Sequence, residues 1–402
     1  MRSSVRLLAV FMIDIRINRY CYSDPWAISY EQRLRHLLSG NVKVAYFYEE
    51  PNNSSFRYRA YNMSEALNRL TNGRVSSSYF FLSDISQAHT IAANADLLIV
   101  CRSRYSAQLA YLIHKFRSQR KTVLFDVDDL VFDLDYVDVL IDSLGQDPKS
   151  PKVLDEWFAY VGRIGKALKM CDGVITTNKF LADRASEFGG IPAAVVPNFL
   201  NLAQQQYSTD VFFAKGRGDF TSDGRRTIGY FSGSPSHRLD FEILAPALID
   251  LLGSDKSLDL VVAGYIEVGE NLNGFASRVR YYPFQDYVNL QRLIACVDIN
   301  LVPLQDNVFT NCKSELKYFE AGAVGVPSVA SPVFTYRNSI SHGENGYLCR
   351  SYQWVEMIQR ALADTSSDCG IAGRARCHSL RTYGWDAQIA NILDALSRFV
   401  AV

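Results

Sequence analysis

The chain has 402 residues, of which 48% are apolar, and its 42 lysines and arginines balance 42 aspartates and glutamates. A chain of this length exceeds one ordinary hydrophobic core and indicates two domains, or one domain with large insertions. The balanced charge argues against an extended nucleic-acid surface, because sequence-independent binding to phosphates requires a net basic face.

Two features predict the cellular compartment. The N-terminus, MRSSVRLLAVFMIDIRIN, has the basic-then-apolar order of a signal peptide, but its apolar run covers only seven residues and no small-residue cleavage site follows. No later stretch reaches the ~20 apolar residues of a membrane span. The eight cysteines include no CxxC pair and no cluster with histidine at metal-ligand spacing. We therefore expect free thiols in a cytoplasmic protein that can also contact a membrane surface.

Short apolar runs alternate with helical patterns in the first half of the chain. The runs are VKVAYFY (42–48), ADLLIVC (95–101), TVLFD (122–126) and GVITT (173–177). Strands that alternate with helices predict a parallel, doubly wound sheet.

The region after VVPNFLN (195–201) lacks clear periodicity from Leu202 to about Arg226, and it is rich in Gln, Gly, Ser and Asp. We interpret it as an interdomain linker that could act as a hinge. The βα pattern restarts at TIGYFS (227–232). The predicted organisation is an N-terminal Rossmann-like domain over 1–205, whose first 40 residues form an atypical extension, a linker over 206–226, and a C-terminal Rossmann-like domain over 227–402. The last helix of the second domain can pack back on the first.

The turn FSGSPSH (231–237) follows a predicted strand and opens a predicted helix. Backbone N–H groups of Gly233 and Ser234 could hold a phosphate there, and His237 is the only histidine in a candidate ligand loop. An ordinary tight turn explains the same residues at least as well. The spacing fits neither G-x-G-x-x-G nor the P-loop, so neither a dehydrogenase nor a nucleoside triphosphatase is favoured.

The segment NCKSELKYFEAGAVGVP (311–327) predicts a helix from about Lys313 to Val324. Lys313 and Lys317 stand four residues apart at its start, where like charges cost roughly 0.2–0.5 kcal/mol and the helix dipole disfavours cations. A solvated helix face with one Lys317–Glu320 pair would explain that pair, but not the two cations. A bound anion, especially a diphosphate, would satisfy the free N–H groups and both ammonium groups.

Three segments together resemble the glycosyltransferases of family four (group 1), which have the GT-B architecture. They are VVPNFLN, IGYFSGSPSHRLDF and INLVPLQDNVFTNCKSELKYFEAGAVGVPSVAS, and the resemblance covers roughly residues 41–400, most strongly in the second half. It implies two Rossmann-like βαβ domains that face each other across a cleft. It also implies a nucleotide-diphosphate sugar held mainly by the C-terminal domain, an acceptor held by the N-terminal domain, and neither a cofactor nor a bound metal.

The resemblance also implies roles for individual residues. Glu320 matches the second glutamate of the family's Glu, seven residues, Glu signature, which typically binds the nucleotide ribose. The first glutamate would fall at Cys312, so the donor sugar cannot be carried over from the family. The positions whose backbone amides usually approach the diphosphate and sugar correspond to Lys313, Ser314, Glu315 and Leu316.

The remaining donor-side residues follow from the same resemblance. Gly233 matches the glycine of the family's first phosphate loop, which an arginine and a lysine usually follow. Arg238 is the only nearby basic residue, and Lys313 or Lys317 would replace the missing lysine. The segment from Tyr282 to Phe284 matches the loop that commonly contacts the base.

Two polar clusters stand in the N-terminal half. Arg57 and Arg59, in EEPNNSSFRYRAYNM, could bind an anionic acceptor or a donor phosphate, or could simply be surface arginines. Asp126, Asp128 and Asp129 follow the strand TVLF at its carboxyl end, where open α/β sheets place ligands. This cluster could supply the catalytic polar group, in place of the family's usual histidine, or bind magnesium or manganese. A capped acidic turn is an equal alternative.

The sequence therefore predicts a retaining glycosyltransferase that moves a sugar from a nucleotide-diphosphate donor to an acceptor hydroxyl in cell-surface glycan synthesis. The predicted partners are the nucleotide sugar and a glycan, lipid-linked or protein acceptor, without nucleic acid. The predicted catalytic residues are Asp126, Asp128, Asp129, Arg238, Lys313 and Lys317. A sugar-nucleotide epimerase of the same architecture and a catalytically silent partner subunit stay open as alternatives.

Overall fold

A computed structural model describes residues 18–218, 224–233, 238–265, 270–365 and 370–400. The chain is built on two parallel six-stranded sheets. Most of their strands are buried along nearly their whole length, as expected where helices cover both faces of a parallel sheet. In the first strand, for example, Val44 and Tyr46 enter one hydrophobic cluster while Ala45 and Phe47 enter another. The predicted fold class, two Rossmann-like domains of the α/β type, is confirmed.

The N-terminal sheet has the strand order β2-β1-β3-β4-β5-β6. Its strands are β1 (Val42–Tyr48), β2 (Val75–Phe81), β3 (Leu97–Cys101), β4 (Thr122–Val127), β5 (Gly173–Thr176) and β6 (Ala193–Val195). The accompanying helices are α1 (Tyr30–Leu37), α2 (Met63–Leu70), α3 (Ala88–Asn94), α4 (Ala107–Arg117), α5 (Val137–Ser143), α6 (Pro151–Leu168), α7 (Lys179–Gly189) and α8 (Leu202–Gly216). A π-helical turn covers Arg57–Asn62, and short 3₁₀ helices cover Leu82–Gln87 and Leu134–Tyr136.

The C-terminal sheet has the order β12-β11-β10-β7-β8-β9. Its strands are β7 (Arg226–Ser232), β8 (Leu258–Gly264), β9 (Val279–Tyr282), β10 (Ile299–Val302), β11 (Ser328–Ala330) and β12 (Tyr347–Leu348). Its helices are α9 (Arg238–Glu242), α10 (Ala245–Ser254), α11 (Asn289–Ile294), α12 (Val308–Asn311), α13 (Leu316–Ala323), α14 (Phe334–Ser339), α15 (Trp354–Asp364), α16 (Ile371–Tyr383) and α17 (Ile389–Ser397). A 3₁₀ helix covers Glu270–Phe275.

Each sheet contains one point where the direction of strand succession reverses. In the N-terminal sheet this point lies between β1 and β3, and in the C-terminal sheet it lies between β7 and β10. Open α/β sheets bind ligands in the crevice outside the carboxyl ends of the strands at such a point. The loops that leave these four strands are therefore the expected ligand-binding loops.

The segment after Asn201 differs from the prediction. It was predicted to be an irregular linker, but Leu202–Gly216 forms helix α8, and Asn201 caps it by accepting a hydrogen bond from the backbone N–H of Gln204. Val211 and Ala214 are buried. The helix is weakly amphipathic because buried polar residues share its inner face with apolar ones, so its sequence lacks a clean apolar stripe.

Both ends of the described chain pack on the N-terminal sheet. Helix α1, within the predicted extension, is tied to the sheet by a buried ion pair between Arg33 and Asp84, 2.6 Å apart. Helix α17 packs on α2, and Leu396 lies in the same hydrophobic cluster as Leu67. Residues 1–17 of the predicted extension lie outside the described residues. In the described part of the chain, no helix combines the length and the apolar character needed to span a membrane.

Candidate active site

Two adjoining cavities lie between the sheets, at the two reversal points. The larger encloses about 780 Å³ and the smaller about 560 Å³. They share four lining residues, Ser54 from the loop after β1 and Gly233, Leu316 and Lys317 from the C-terminal domain. We call them the large and the small cavity, and we call the region of these four residues the junction. Ligand sites in proteins have volumes of this order.

The junction contains a cation, Lys317, and a second, Lys313, lines the large cavity beside it. Among the described residues, the ammonium group of Lys317 is buried and has no hydrogen-bond partner. Its pKa is lowered to about 8, mainly by burial, while Asp240 and Glu320 oppose the shift and the charge of Lys313 adds to it. Lys313 lines the large cavity, with its ammonium group 3.7 Å from Asp129. The ammonium group of Lys317 lies 5.0 Å from the ring centroid of Tyr230, a cation–π contact, but a buried cation without a hydrogen-bond partner is unfavourable unless an anion binds to it.

The helix that carries Lys317 begins later than predicted. Residues 308–311 form the short helix α12, which Cys312 terminates, and α13 begins only at Leu316. Lys313 therefore lies in the turn between two helices. The alternative of a solvated face with a Lys317–Glu320 pair is wrong, because Glu320 is buried and bonds to other side chains.

Glu320 lines the small cavity through its position on α13. Its carboxylate accepts hydrogen bonds from Tyr58 at 2.6 Å and from Gln204 at 3.1 Å, and Arg57 lies 3.5 Å away. Arg57 thus belongs to the small cavity, where its guanidinium lies over the ring of Tyr287. The surface alternative for Arg57 is wrong, because only 4% of the residue is exposed.

Asp126 and Arg59 form a pair away from both cavities. The guanidinium of Arg59 donates to both carboxylate oxygens of Asp126 at 2.7 and 3.0 Å, and each residue is 1% exposed. Neither residue lines a cavity. The positions of Asp126 and Arg59 therefore do not support a catalytic role for Asp126 or a substrate contact for Arg59, because the two side chains form a buried ion pair with each other.

Asp128 and Asp129 do line the large cavity. Asp128 accepts a hydrogen bond from Arg102 at 2.9 Å. Burial by itself would raise the pKa of Asp128, but Arg102, a hydrogen bond with Ser55 and the charge of Arg59 together lower it. In the described part of the chain, Oδ1 of Asp129 is buried without a hydrogen-bond partner. No cluster of three or more metal-ligating side chains occurs there either, so the metal interpretation of this run has no structural support.

Arg102 was missed by the sequence analysis. It follows β3 directly, lines the large cavity and has a left-handed backbone conformation with φ of 35°. Such a conformation is strained for a residue with a side chain and is found preferentially at functional sites. The available signal was its place at the carboxyl end of a strand beside the reversal point.

The walls of the two cavities differ in chemistry. The small cavity contains aromatic rings that include Tyr265 and Phe284, whose centroids are 5.1 Å apart. The large cavity extends along α5 and α6 to Trp157, whose indole N–H donates to Gln146 at 2.5 Å. No pattern in the sequence marked Trp157 or Gln146, because they approach the site only through the packing of α6.

Four further predicted donor residues occupy different positions. Leu316 lines both cavities and Ser314 lines the large one, whereas Glu315 is buried beside them, and burial raises its pKa to about 7. Tyr282 packs against a hydrophobic cluster and does not line either cavity. Its predicted contact with the base is therefore not supported by its position.

The phosphate-loop residues are only partly described. Gly233 lies at the junction, and a side chain added there would meet none of the described residues within 4 Å, which leaves room for a ligand among them. Arg238 lines the large cavity and pairs with Glu242 at 2.6 Å. Ser234 and His237 lie outside the described residues.

The C-terminal half of the chain is similar to a known family. Residues 225–368 match the family model described as "Glycosyl transferases group 1". A segment of 146 residues is 28% identical to D-inositol 3-phosphate glycosyltransferase of Mycobacterium marinum, and it covers 34% of this chain. The matched segment spans only 30% of that relative's length.

Solved structures match over nearly the whole chain. Anabaena HepE, crystallised with UDP and glucose, aligns with 89% of this chain and 100% of its own, at 15% identity and a TM-score of 0.60. Sucrose-phosphate synthase of Thermosynechococcus elongatus aligns with 89% of this chain and 98% of its own, at 14% identity and a TM-score of 0.56. At these identities the comparison establishes the fold. The predicted GT-B architecture is confirmed, and so is the resemblance to the group 1 glycosyltransferases.

Proposed function

We propose, from the group 1 glycosyltransferase character of its C-terminal domain, that this chain transfers a sugar from a UDP-sugar to an acceptor hydroxyl with retention of configuration. The observation that carries the proposal is Lys317, a buried ammonium group without a hydrogen-bond partner in the described chain, at the junction of two cavities. We infer the donor class from the similar HepE protein, which was crystallised with UDP and with UDP-glucose.

The donor would extend across both cavities. Its nucleotide fits the small cavity, where Phe284 offers an aromatic surface for the base and Glu320 a carboxylate for the ribose. Its diphosphate would lie at the junction, near Gly233, Lys317 and the N-terminus of α13, where free backbone N–H groups and the helix dipole favour anions. Its sugar would then project into the large cavity.

Catalysis would rest on preorganised positive charge. When the bond to the sugar breaks, negative charge grows on the leaving diphosphate, and cations already in place stabilise it without reorganisation. Lys317, Lys313 and Arg238 line the large cavity, at or beside the junction, and are assigned this role. Cys312 stands where the family's first signature glutamate would be and is fully buried, so the donor sugar must be bound by other groups.

The acceptor would enter the large cavity from the N-terminal domain. Asp128 and Asp129 are assigned to the acceptor hydroxyl there. We assign the acceptor to the glycan, lipid-linked or protein classes used in cell-surface polysaccharide synthesis, and the enzyme to the cytoplasm or the inner face of the membrane. The seven described cysteines are all free thiols, in keeping with a reducing compartment.

A thermal-shift panel of UDP, GDP, ADP and their glucose conjugates tests the donor. A ligand at 100 times its dissociation constant stabilises the folded chain by about 2.7 kcal/mol. We expect stabilisation by UDP and by at least one UDP-sugar. Absence of any shift across the panel would contradict the proposal.

Product analysis then separates the two alternatives. An epimerase would convert the UDP-sugar without an acceptor, whereas a transferase would release UDP with slow hydrolysis of the sugar. A silent partner subunit would bind donor without turnover in any assay. Release of UDP that accelerates when acceptor glycans are added would support transfer.

A further inference from the structure

One oxygen of the Glu320 carboxylate is held by side chains from outside the C-terminal sheet. Oε1 accepts one hydrogen bond from the hydroxyl group of Tyr58 at 2.6 Å and another from the side-chain amide of Gln204 at 3.1 Å. Nη2 of Arg57 lies 3.5 Å from the same oxygen. Arg57 also donates to the amide oxygen of Gln204 at 3.0 Å. The four side chains therefore form a closed, buried network in which the orientation of the Gln204 amide is determined.

The other carboxylate oxygen is available. Among the residues that the structure describes, none donates a hydrogen bond to Oε2, although Glu320 lines the small cavity. A carboxylate offers about four lone-pair positions and accepts from several donors at once. A carboxylate that is fixed through one oxygen and unpaired at the other is arranged to accept a hydrogen bond from a ligand hydroxyl.

The local backbone brings Arg57 and Tyr58 to this point. Both lie at the start of the π-helical turn Arg57–Asn62, which follows the loop after β1. Turns of this kind are rare and often mark functional sites. The guanidinium of Arg57 lies over the rings of Tyr58 at 3.9 Å and Tyr287 at 4.3 Å, so its position is also fixed.

We propose that Tyr58 and Gln204 are positioning residues for the nucleotide, which hold Oε1 of Glu320 so that Oε2 meets a ribose hydroxyl. The inference rests on the proposed function and extends it. The N-terminal domain and helix α8, and not the donor domain alone, then set the preference for a ribonucleotide over a deoxyribonucleotide. Arg57 balances the carboxylate charge in the same network.

Calorimetric titration of the full chain with UDP, 2′-deoxy-UDP and 3′-deoxy-UDP tests this inference. The measured quantity is the ratio of dissociation constants, deoxy over ribo, for whichever analogue is weaker. One hydrogen bond to a charged group predicts a ratio of roughly 10 or more in the unmodified protein. Glu320→Gln should bring the ratio close to one, and Tyr58→Phe should lower it several-fold, because the carboxylate loses its fixed orientation.

Tyr46→Phe is the matched control. Tyr46 is a buried tyrosine of β1, 2% exposed, that lines neither cavity. Loss of its hydroxyl should leave the ratio at the unmodified value, even if the melting temperature falls as it does in Tyr58→Phe. A merely structural role of Tyr58 would likewise change the melting temperature and not the ratio.

The outcomes separate this inference from the proposed function. If the ratio falls close to one in Glu320→Gln but stays at the unmodified value in a folded Tyr58→Phe, the positioning role of Tyr58 is overturned and the ribose role of Glu320 stands. If the unmodified protein does not prefer UDP over its deoxy analogues, or if Glu320→Gln keeps that preference, both the ribose role of Glu320 and the positioning role of Tyr58 are overturned. The proposed binding of UDP is tested separately, by the thermal-shift panel. Should Tyr58→Phe not fold, Gln204→Leu replaces it, with the same ratio as the deciding measurement.

Discussion

The ammonium group of Lys317 is in an unfavourable position in the free protein, and the proposed UDP complex would make that position favourable. Its pKa of about 8 lies below the ordinary value of 10.5, because burial disfavours the charged form. Between these two values the unfolded chain binds more protons than the folded one, so this residue makes the protein more stable as pH rises from about 8 to 10.5. Below pH 8 the buried charge is a destabilising feature.

Lys317→Met should therefore separate stability from binding. At pH 7 we expect a free energy of unfolding about 1 kcal/mol higher or more, because an unpaired buried charge is removed. Affinity for UDP should fall roughly 10- to 100-fold with loss of a charge-assisted hydrogen bond. In the unmodified protein, UDP affinity should also fall as pH rises above about 8, where Lys317 loses its proton.

Urea unfolding at pH 7 and 9.5, with UDP titrations at both, measures these effects. Lys152→Met is the control, because the side chain of Lys152 is 83% exposed on α6 and such substitutions usually change stability by within about 0.5 kcal/mol. Undiminished UDP affinity in Lys317→Met would refute the anion-binding role.

The three aspartates at the carboxyl end of β4 should respond differently to neutralisation. Asp126→Asn leaves the charge of Arg59 buried without its partner, so we expect a loss of about 3–5 kcal/mol of stability. On the sequence alone Asp128 is the favoured catalytic group, because along an extended segment it shares a face with Asp126 and lies further out from the sheet edge. The structure favours Asp129, because Asp128 is already paired with Arg102 whereas Oδ1 of Asp129 is unpaired within the described chain.

Asp129→Asn should lower turnover by roughly 100- to 10,000-fold if Asp129 assists proton transfer, with little effect on UDP affinity. Assays of transfer, UDP binding and thermal stability on all three Asp→Asn variants distinguish these roles. Near-normal transfer by a folded Asp129→Asn would exclude it from the chemistry, and a loss modulated by a divalent cation would revive the metal interpretation.

At the scale of the elements, the crossing of α13 and α16 determines where the junction lies. A side chain at Gly322 would meet Oγ of Ser379 at 2.0 Å and the backbone oxygen of Ala375 at 3.0 Å, so only glycine permits this close approach. Helix α13 carries Leu316, Lys317 and Glu320, and a displaced α13 would move all three. The packing of one helix pair thus positions the residues to which donor binding is assigned.

Gly322→Ala should destabilise the protein by about 1–3 kcal/mol, as overpacking of a close contact does, and it should weaken UDP binding. Gly253→Ala on α10 is the matched control. Its added side chain meets nothing within 4 Å, so it should increase stability by about 0.4–1 kcal/mol. Urea unfolding compares the two variants. Equal stability of both would show that α16 can shift to accommodate a methyl group.

At the scale of the whole molecule, direct contacts join the domains at several points. Asn307 donates to the hydroxyl of Ser143 at 2.8 Å, and Asn178 donates to the backbone oxygen of Cys312 at 3.1 Å. The segment predicted to act as a hinge is largely the packed helix α8. These contacts hold the two domains together, so the cleft between them is already enclosed in the described structure.

Small-angle scattering with and without UDP should consequently show similar profiles, with a change in the radius of gyration below about 1 Å. Bovine serum albumin measured with and without UDP controls for buffer mismatch. A decrease of several ångströms would show that the free protein is open in solution and closes on UDP, as a hinge between the domains would allow.

The sequence by itself determined the fold class, the two-domain order and the segment that carries Lys313, Lys317 and Glu320. These features depend on local periodicity, on strand-to-helix turns and on spacing along one helix, all of which are properties of neighbouring residues. The same reasoning could place Asp128 and Asp129 at a strand end. It could not reveal that Asp126, two positions before Asp128, is held in a buried ion pair with Arg59.

Only the tertiary structure decided which polar groups are paired and which are available. Tyr58, Gln204 and Glu320 are brought together from positions separated by more than a hundred residues, and Arg102 and Trp157 reach the large cavity from different elements. Helix α8 was missed because its inner face carries buried polar residues that bond across the domains. Burial and long-range pairing set the charge, orientation and availability of a side chain, and neither is encoded in its near neighbours along the chain.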